Sequence, residues 1–238
     1  AAEAYDHIKI CILDNAGTLE PEKIENPEIH VVKNKNLGGV GGFTRTMLEY
    51  LNGEEKISHV LLMDDDAIIL PETIERNYLF LKHLKKKYYV IGGALMRLDH
   101  PSIQYESGAL WNNGDMIAHN HDFDMTSLAE CITNEVEIEH DYVGWWYSCI
   151  PVTFINKNKL PLPLFIHRDD IEYGLRANGE FILLNGICVW HEAFENKCPG
   201  TNEYYDIRNL AILNAIHDEK FTAKQFKKVL FKEISSNI

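Results

Sequence analysis

The chain has 238 residues, 45% of them hydrophobic and 25% charged, and its 23 basic against 36 acidic residues give a formal net charge of −13. Those proportions exclude disordered, collagen-like and coiled-coil chains, and the acidic excess argues against a nucleic-acid binder that relies on bulk positive charge. On charge alone an anionic ligand is disfavoured as well. No apolar run reaches the roughly 18 to 20 residues that span a bilayer, and the opening AAEAYDHIK resembles no leader, so a soluble, cytoplasmic protein is expected. The cysteines (Cys11, Cys131, Cys149, Cys188 and Cys198) are odd in number and lack CxxC spacing, which suits buried thiols in a reducing compartment.

Short apolar runs alternate with helical patterns, the arrangement of a parallel or mixed sheet covered by helices. Ile8–Leu13 reads as a buried strand ending at Asp14-Asn15 and a Gly17 turn, and Ile29–Val32 as a second strand before the glycine-rich Asn36–Phe43. Phe43, Met47, Leu48 and Leu51 then share a helical face that Asn52-Gly53 closes. His59–Met63 is a third strand, running directly into Asp64-Asp65-Asp66. Pro71 suits the first turn of a helix to about Lys87, with Ile74, Tyr78, Leu81 and Leu84 inward, and Tyr88–Ile91 is the next strand. Pro101–Val143 lacks a helical period and reads as hairpins and loops, a flap over a site. Trp145–Val152 is a strand, Asp169 opens a helix that stops at Asn178-Gly179, and Phe181–Trp190 is a strand whose end carries His191. Helices over about Glu203–His217 and Thr222–Ile234 close the chain.

Alternation along a strand places Asp64 and Asp66 on one side, where a divalent cation would neutralise both; a solvated turn or a cap before Pro71 is the bland alternative. Position at the carboxyl end of a strand favours a ligand. His191 ends another strand on the same edge, and an imidazole beside two carboxylates suits Mn2+ or Mg2+, although a lone histidine is as often a satisfied polar residue. Asp169 and Glu172 have capping-box spacing, which leaves Asp170 over as a carboxylate able to accept a proton from a hydroxyl. One strand face cannot bury both Trp145 and Trp146, so one indole is expected toward the core and the other toward a cleft, stacking on sugar C–H faces; packing on both sides is the alternative. Asn36–Phe43 lacks the Lys-Ser/Thr of a P-loop and departs from the dinucleotide fingerprint.

In combination the chain resembles the inverting nucleotide-sugar glycosyltransferases of family 2, with a GT-A fold, and within them the galactofuranosyltransferase branch. The resemblance runs from Ile8 to His217 through Leu13-Asp14-Asn15, Asn36–Phe43 with Arg45, Asp64-Asp65-Asp66, Gly92-Gly93-Ala94, Trp145-Trp146, His167-Arg168-Asp169-Asp170-Ile171-Glu172-Tyr173-Gly174-Leu175-Arg176, Val189-Trp190-His191 and Tyr204-Tyr205-Asp206-Ile207-Arg208-Asn209. It implies an α/β domain over residues 1–218, with a mixed, mainly parallel sheet flanked by helices, and a basic helical appendage over 219–238. By the same resemblance Asp64, Asp66 and His191 hold Mn2+ or Mg2+, and Asp170 is the catalytic base. Asn15, Asn36, Arg45, Asp64 and Asp65 bind the UDP-sugar donor, while Trp145, Trp146 and Asp169 meet the acceptor. The implied reaction moves galactofuranose from UDP-galactofuranose to a hydroxyl of a growing or lipid-linked cell-surface glycan. A rhamnosyltransferase using a dTDP donor and a catalytically silent carbohydrate-binding or assembly domain remain alternatives. Members begin with a strand and helix ahead of the strand placed at Ile8–Leu13, so the chain is expected to be a segment lacking both, or to have something else fill the gap. Lys220, Lys224, Lys227, Lys228 and Lys232 against Glu233 form a basic helix suited to peripheral contact with a membrane, or merely to solvent; self-association is left open.

Overall fold

The computed structural model describes residues 7–53, 56–112, 115–178, 180–192, 202–218 and 220–236; the expected helix stop at Gly179, Cys198 and the side chains of Lys232 and Glu233 lie outside the described set. The first apolar runs form β1 (Ile10–Asp14) and β2 (Ile29–Lys33), joined through the short helix α1 (Pro21–Ile24) and paired in parallel. The turn after β1 is closed by the buried Asp14 carboxylate, which accepts from the N–H groups of Gly17, Thr18 and Leu19 at 2.7, 3.2 and 3.1 Å. Helix α2 (Gly38–Leu51) begins inside the glycine run instead of after it. A Cβ at Gly38 would lie 1.5 Å from the Phe165 carbonyl oxygen, and one at Gly39 would lie 4.0 Å from the Asp169 carboxylate. Glycine therefore lets the positively polarised first turn of α2 press against residues 165–169. Met47 is buried and Phe43 and Leu51 pack beside it, while Leu48 turns outward.

β3 (His59–Leu62) is followed by α3 (Pro71–His83), which starts on its proline and ends before Lys87. Ile74, Leu81 and Leu84 face the core, but Tyr78 stacks on His7 with ring centroids 5.5 Å apart. β4 (Val90–Arg97) leads into β5 (Ile103–Glu106), a hairpin of β6 (Ala109–Asn112) and β7 (Asp115–Ala118), the two-residue β8 (Phe123–Asp124) and a short helix α4 (Leu128–Asn134) that the sequence pattern does not announce. β9 (Ser148–Pro151), α5 (Val152–Asn158), α6 (Asp169–Leu175), β10 (Phe181–His191), α7 (Asn202–His217) and α8 (Ala223–Ser236) complete the order. Among the described residues no helix is long and apolar enough to cross a membrane.

The larger sheet has the order β3-β9-β4-β5-β8, with β10 paired to β4. β4 and β10 are parallel, and β9 runs antiparallel between β3 and β4, so β3, β4 and β10 point the same way. The sheet is mixed as expected, and among the described residues its antiparallel pairings outnumber the parallel ones. β5 follows β4 through a tight turn and β9 arrives from the flap, so neither needs the crossover helix that a parallel neighbour demands. Among the described residues β1 is laddered to β2 and β3 to β9, and no ladder joins β1 to β3.

Both indoles are buried, with Trp145 5% and Trp146 6% exposed. Trp145 meets Phe43 and Tyr173 edge-on, whereas Trp146 enters the cluster around Ile91 and donates its Nε1–H to the Gly93 carbonyl at 2.9 Å. The cleft-facing stacking surface expected of one of them is therefore not offered. β9 starts only at Ser148, so strand alternation does not govern the pair, and the bent approach sends each ring to a different core cluster. Gly92 and Gly93 permit this crossing, because a Cβ there would come within 2.6 Å of Val143 and 2.9 Å of Tyr147.

Gly38→Ala combines positive φ with a backbone collision, whereas a Cβ at Gly17 meets nothing within 4 Å. Chemical denaturation should show a loss of more than about 2 kcal/mol for Gly38→Ala and about 1 kcal/mol for Gly17→Ala; equal costs would refute the close approach.

Candidate active site

β3 ends at Leu62, so the acidic triplet lies on the following loop and not on the strand itself. Strand alternation therefore does not bring Asp64 and Asp66 together. The loop crosses the carboxyl end of the sheet from β3 toward β10, where Ile68 and Trp190 exchange main-chain hydrogen bonds of 2.7 and 2.9 Å. That clip draws Asp66 to the end of β10, and its Oδ1 stands 3.0 Å from His191 Nε2. Asp64, Asp66 and His191 each offer a ligand atom, all within 4.8 Å of one another.

The Nδ1 of His191 is 2.6 Å from the Glu192 carbonyl oxygen, a partner that only accepts. With Nδ1–H donated to that carbonyl, Nε2 presents a lone pair beside the Asp66 carboxylate, where a cation would be shared by both. Adjacent ligands of an octahedral ion bound at about 2.1 Å stand about 3 Å apart. Two carboxylates and a neutral imidazole thus form a trio able to hold a divalent cation, and their donor set fits Mn2+ or Mg2+.

Asp169 and Asp170 open α6, but no capping box forms there. Arg168 is the cap residue, left-handed at φ +64°, and His167 before it has φ +62°. This turn shifts Asp169 into the first helical position and rotates Glu172 into the interior, where it bonds Arg176 at 3.0 and 2.6 Å and His217 at 2.9 Å. Asp170 Oδ1 accepts the Ile171 N–H at 2.7 Å. Each of the two aspartates keeps some exposed surface, yet the protein enclosing the carboxyl pushes Asp170 above the usual carboxylate range, with the charge of Asp64 adding to the effect. Asp169 is raised likewise, by burial and then by Asp170. The mutual influence of Asp64, Asp169 and Asp170 puts the cation trio and the helix start within electrostatic reach of each other.

Glu106 belongs to the same charge cluster and no motif points to it. The residue is 2% exposed, and its Oε1 has no hydrogen-bond partner. Burial, reinforced by the charge of Asp170 and opposed by a hydrogen bond from Tyr142, pushes it up to about 8. The available signal is a charged residue inside the four-residue β5, next to a glycine turn at Gly108. Of the other residues expected to meet the donor, Asn15 Oδ1 accepts from Asn34 at 3.0 Å just beyond β1, and Asn36 Oδ1 from the Gly38 N–H at 3.2 Å before α2. Arg45 is tied to Glu49 one helical turn away, at 3.1 and 3.0 Å, and Asp65 is exposed on the crossing loop.

A family model described as "Glycosyltransferase like family 2" matches residues 21–184. The chain is 31% identical over 222 residues to the galactofuranosyltransferase GlfT2 of Mycolicibacterium smegmatis, covering 86% of this chain and 34% of that protein. It is 32% identical over 200 residues to GlfT2 of Mycobacterium tuberculosis, covering 76% of this chain and 31% of the relative. The chain thus spans about a third of the length of these curated relatives.

Burial of Glu106 has a consequence for stability. The unfolded chain releases this proton near the ordinary value of 4.5 and the folded protein retains it to about 8. Between those values the folded state holds the extra proton, so stability falls as pH rises through the window. Glu106→Gln should flatten that decline in denaturant unfolding measured from about pH 5 to 9; an unchanged slope would assign it to other groups.

Proposed function

The chain belongs to the family-2-like glycosyltransferases, and from that premise we propose that it is a metal-dependent, inverting enzyme transferring galactofuranose from UDP-galactofuranose to a hydroxyl of a growing cell-surface glycan. The observation that carries this reading is the convergence of two charge systems within electrostatic reach of each other, the trio of Asp64, Asp66 and His191 and the carboxylates that open α6. The sugar is suggested by the galactofuranosyltransferases among the relatives.

Asp64, Asp66 and His191 would hold Mn2+ or Mg2+ beside the donor diphosphate. A cation bound there supplies counter-charge to the departing diphosphate. Asp170 has one oxygen engaged by the Ile171 N–H and uses the other to take the proton of the acceptor hydroxyl. Attack on the sugar face opposite the leaving group, in a single displacement, inverts the anomeric centre. Asn15 and Asn36, at the loops beyond β1 and β2, serve the nucleotide side with Arg45 and Asp65, and Asp169 faces the acceptor.

Residues 1–218 would form the transferase unit and 219–238 its appendage. Lys220, Lys224, Lys227 and Lys228 are exposed on the appendage together with Phe231, a combination that suits a membrane surface presenting a lipid-linked acceptor.

Calorimetric titration with UDP should show binding at least about tenfold tighter with Mn2+ than without it, and Asp64→Asn or His191→Ala should erase the difference. Binding indifferent to metal would favour a silent carbohydrate-binding module. In a transfer assay with UDP-galactofuranose, Asp170→Asn should lower kcat by at least about 100-fold while leaving UDP affinity within about twofold. Transfer that survives this change would remove Asp170 from the role of base.

A further inference from the structure

The turn that presents Asp169 and Asp170 is strained. His167 and Arg168 are consecutive residues with a side chain at positive φ, +62° and +64°, a conformation that persists only where surrounding contacts over-determine it. Those contacts come from one face of α7. Asn209, wholly buried, donates both amide protons of Nδ2, to the Ile166 carbonyl at 2.7 Å and the His167 carbonyl at 2.9 Å. Arg208 donates to Asn209 Oδ1 at 3.3 Å, which orients the amide with its NH2 toward those carbonyls. One turn earlier Asp206 holds the Arg168 guanidinium by two bonds of 2.8 Å, and that guanidinium also lies over the Trp111 ring at 5.6 Å. Two turns later His217 reaches Glu172 at 2.9 Å.

Asp206, Asn209 and His217 recur at helical spacing, and with the buried Leu213 they form a single stripe against α6 and the turn before it. Peptide carbonyls at a left-handed turn have no regular ladder to join, and buried carbonyls need donors. The amide of Asn209 supplies two at once, at the residues immediately preceding the aspartates.

We infer, on the reading of Asp170 as the base, that Asn209 is a positioning residue for transfer: its amide, supported by the Asp206–Arg168 pair, holds the left-handed turn that aims the Asp170 carboxylate into the cleft. Asn209 touches neither donor nor acceptor in this account. It acts through the backbone of Ile166 and His167, so its loss changes the rate of the chemical step and not the affinity for the donor.

The test uses Asn209→Ala and Asn209→Asp; the second keeps the shape of the side chain and removes the donors. With UDP-galactofuranose as donor and a synthetic galactofuranoside as acceptor, both variants should lose at least about tenfold in kcat, with donor KM within about threefold of the parent. Hydrogen exchange should rise by at least about tenfold in residues 166–172 while β4 and β10 keep their protection. A kcat within threefold of the parent, a KM that rises in step with the loss of rate, or exchange that rises equally over β4 and β10 would each overturn the inference. If neither variant folds, Asp206→Asn, at the more open end of the stripe, should show the same pattern with at least about a threefold loss of kcat, and parental kinetics with parental exchange there would refute it. A parent protein that transfers no sugar would instead refute the proposed function, and exchange over 166–172 would then decide the holding role of Asn209 alone.

Discussion

Carboxylates that repel one another are gathered around one end of the larger sheet, and holding them there is the constraint on which the rest of the structure depends. Asp64, Asp66, Glu106, Asp169 and Asp170 come from the crossing loop after β3, from β5 and from the start of α6. Asp64 raises the carboxyls of Asp169 and Asp170, and Asp170 in turn raises that of Glu106, so the cluster behaves as one electrostatic unit. Left to itself such a unit would splay apart or take up protons. Covalent chain direction, main-chain clips and packed helices oppose this, and a divalent cation between Asp64, Asp66 and His191 would remove the largest part of the repulsion.

Each restraint has a separate physical basis. The Ile68–Trp190 exchange is a main-chain clip, indifferent to side-chain identity, that fixes the crossing loop on the end of β10. The first turn of α2 brings its unsatisfied N–H groups and helix dipole toward Asp169, an approach that requires glycine at 38. The left-handed turn at His167 and Arg168 is held from α7 by the Asp206 carboxylate, which accepts from Arg168, and by the Asn209 amide, which donates to the main chain; both keep the aspartates in place without shielding them. Glu172 shows the contrasting solution to acidic burial: hydrogen bonds and opposite charge from Arg176 and His217 outweigh its desolvation, and its carboxyl stays below the usual range. Neighbouring acids on one short helix therefore differ in character because one faces partners of opposite charge and the others face their own kind.

The net charge takes on a different meaning in this setting. An excess of acid argues against nucleic acid, but where acids converge with a histidine they create a place for a cation, and a bound cation reverses the local sign. An anionic diphosphate is then compatible with a chain whose formal charge is −13. The exposed lysines at the start of α8 show that the charge is also segregated along the chain.

Much was legible in the sequence because it is local. Hydrophobic period places β2, β10, α3 and α7 closely, and chain chemistry marks the acidic triplet, His191 and Asp170 as residues unusual for their positions. Local pattern also misled where local rules did not apply: alternation does not govern Asp64 and Asp66, since the strand has already ended, nor Trp145 and Trp146, since theirs has not begun. Capping-box spacing failed at Asp169 because two left-handed residues moved the start of the helix. The tertiary structure alone decided that a loop leaving β3 crosses to β10, that Glu106 joins the acids from a flap with no motif, and that Gly38 serves close packing against Phe165. These are contacts between segments far apart in the chain, and their energies arise from burial, repulsion and main-chain pairing that exist only once the segments have met. Residue types and their local periods are written along the chain, whereas which of those residues share one electrostatic field is a property of the folded arrangement.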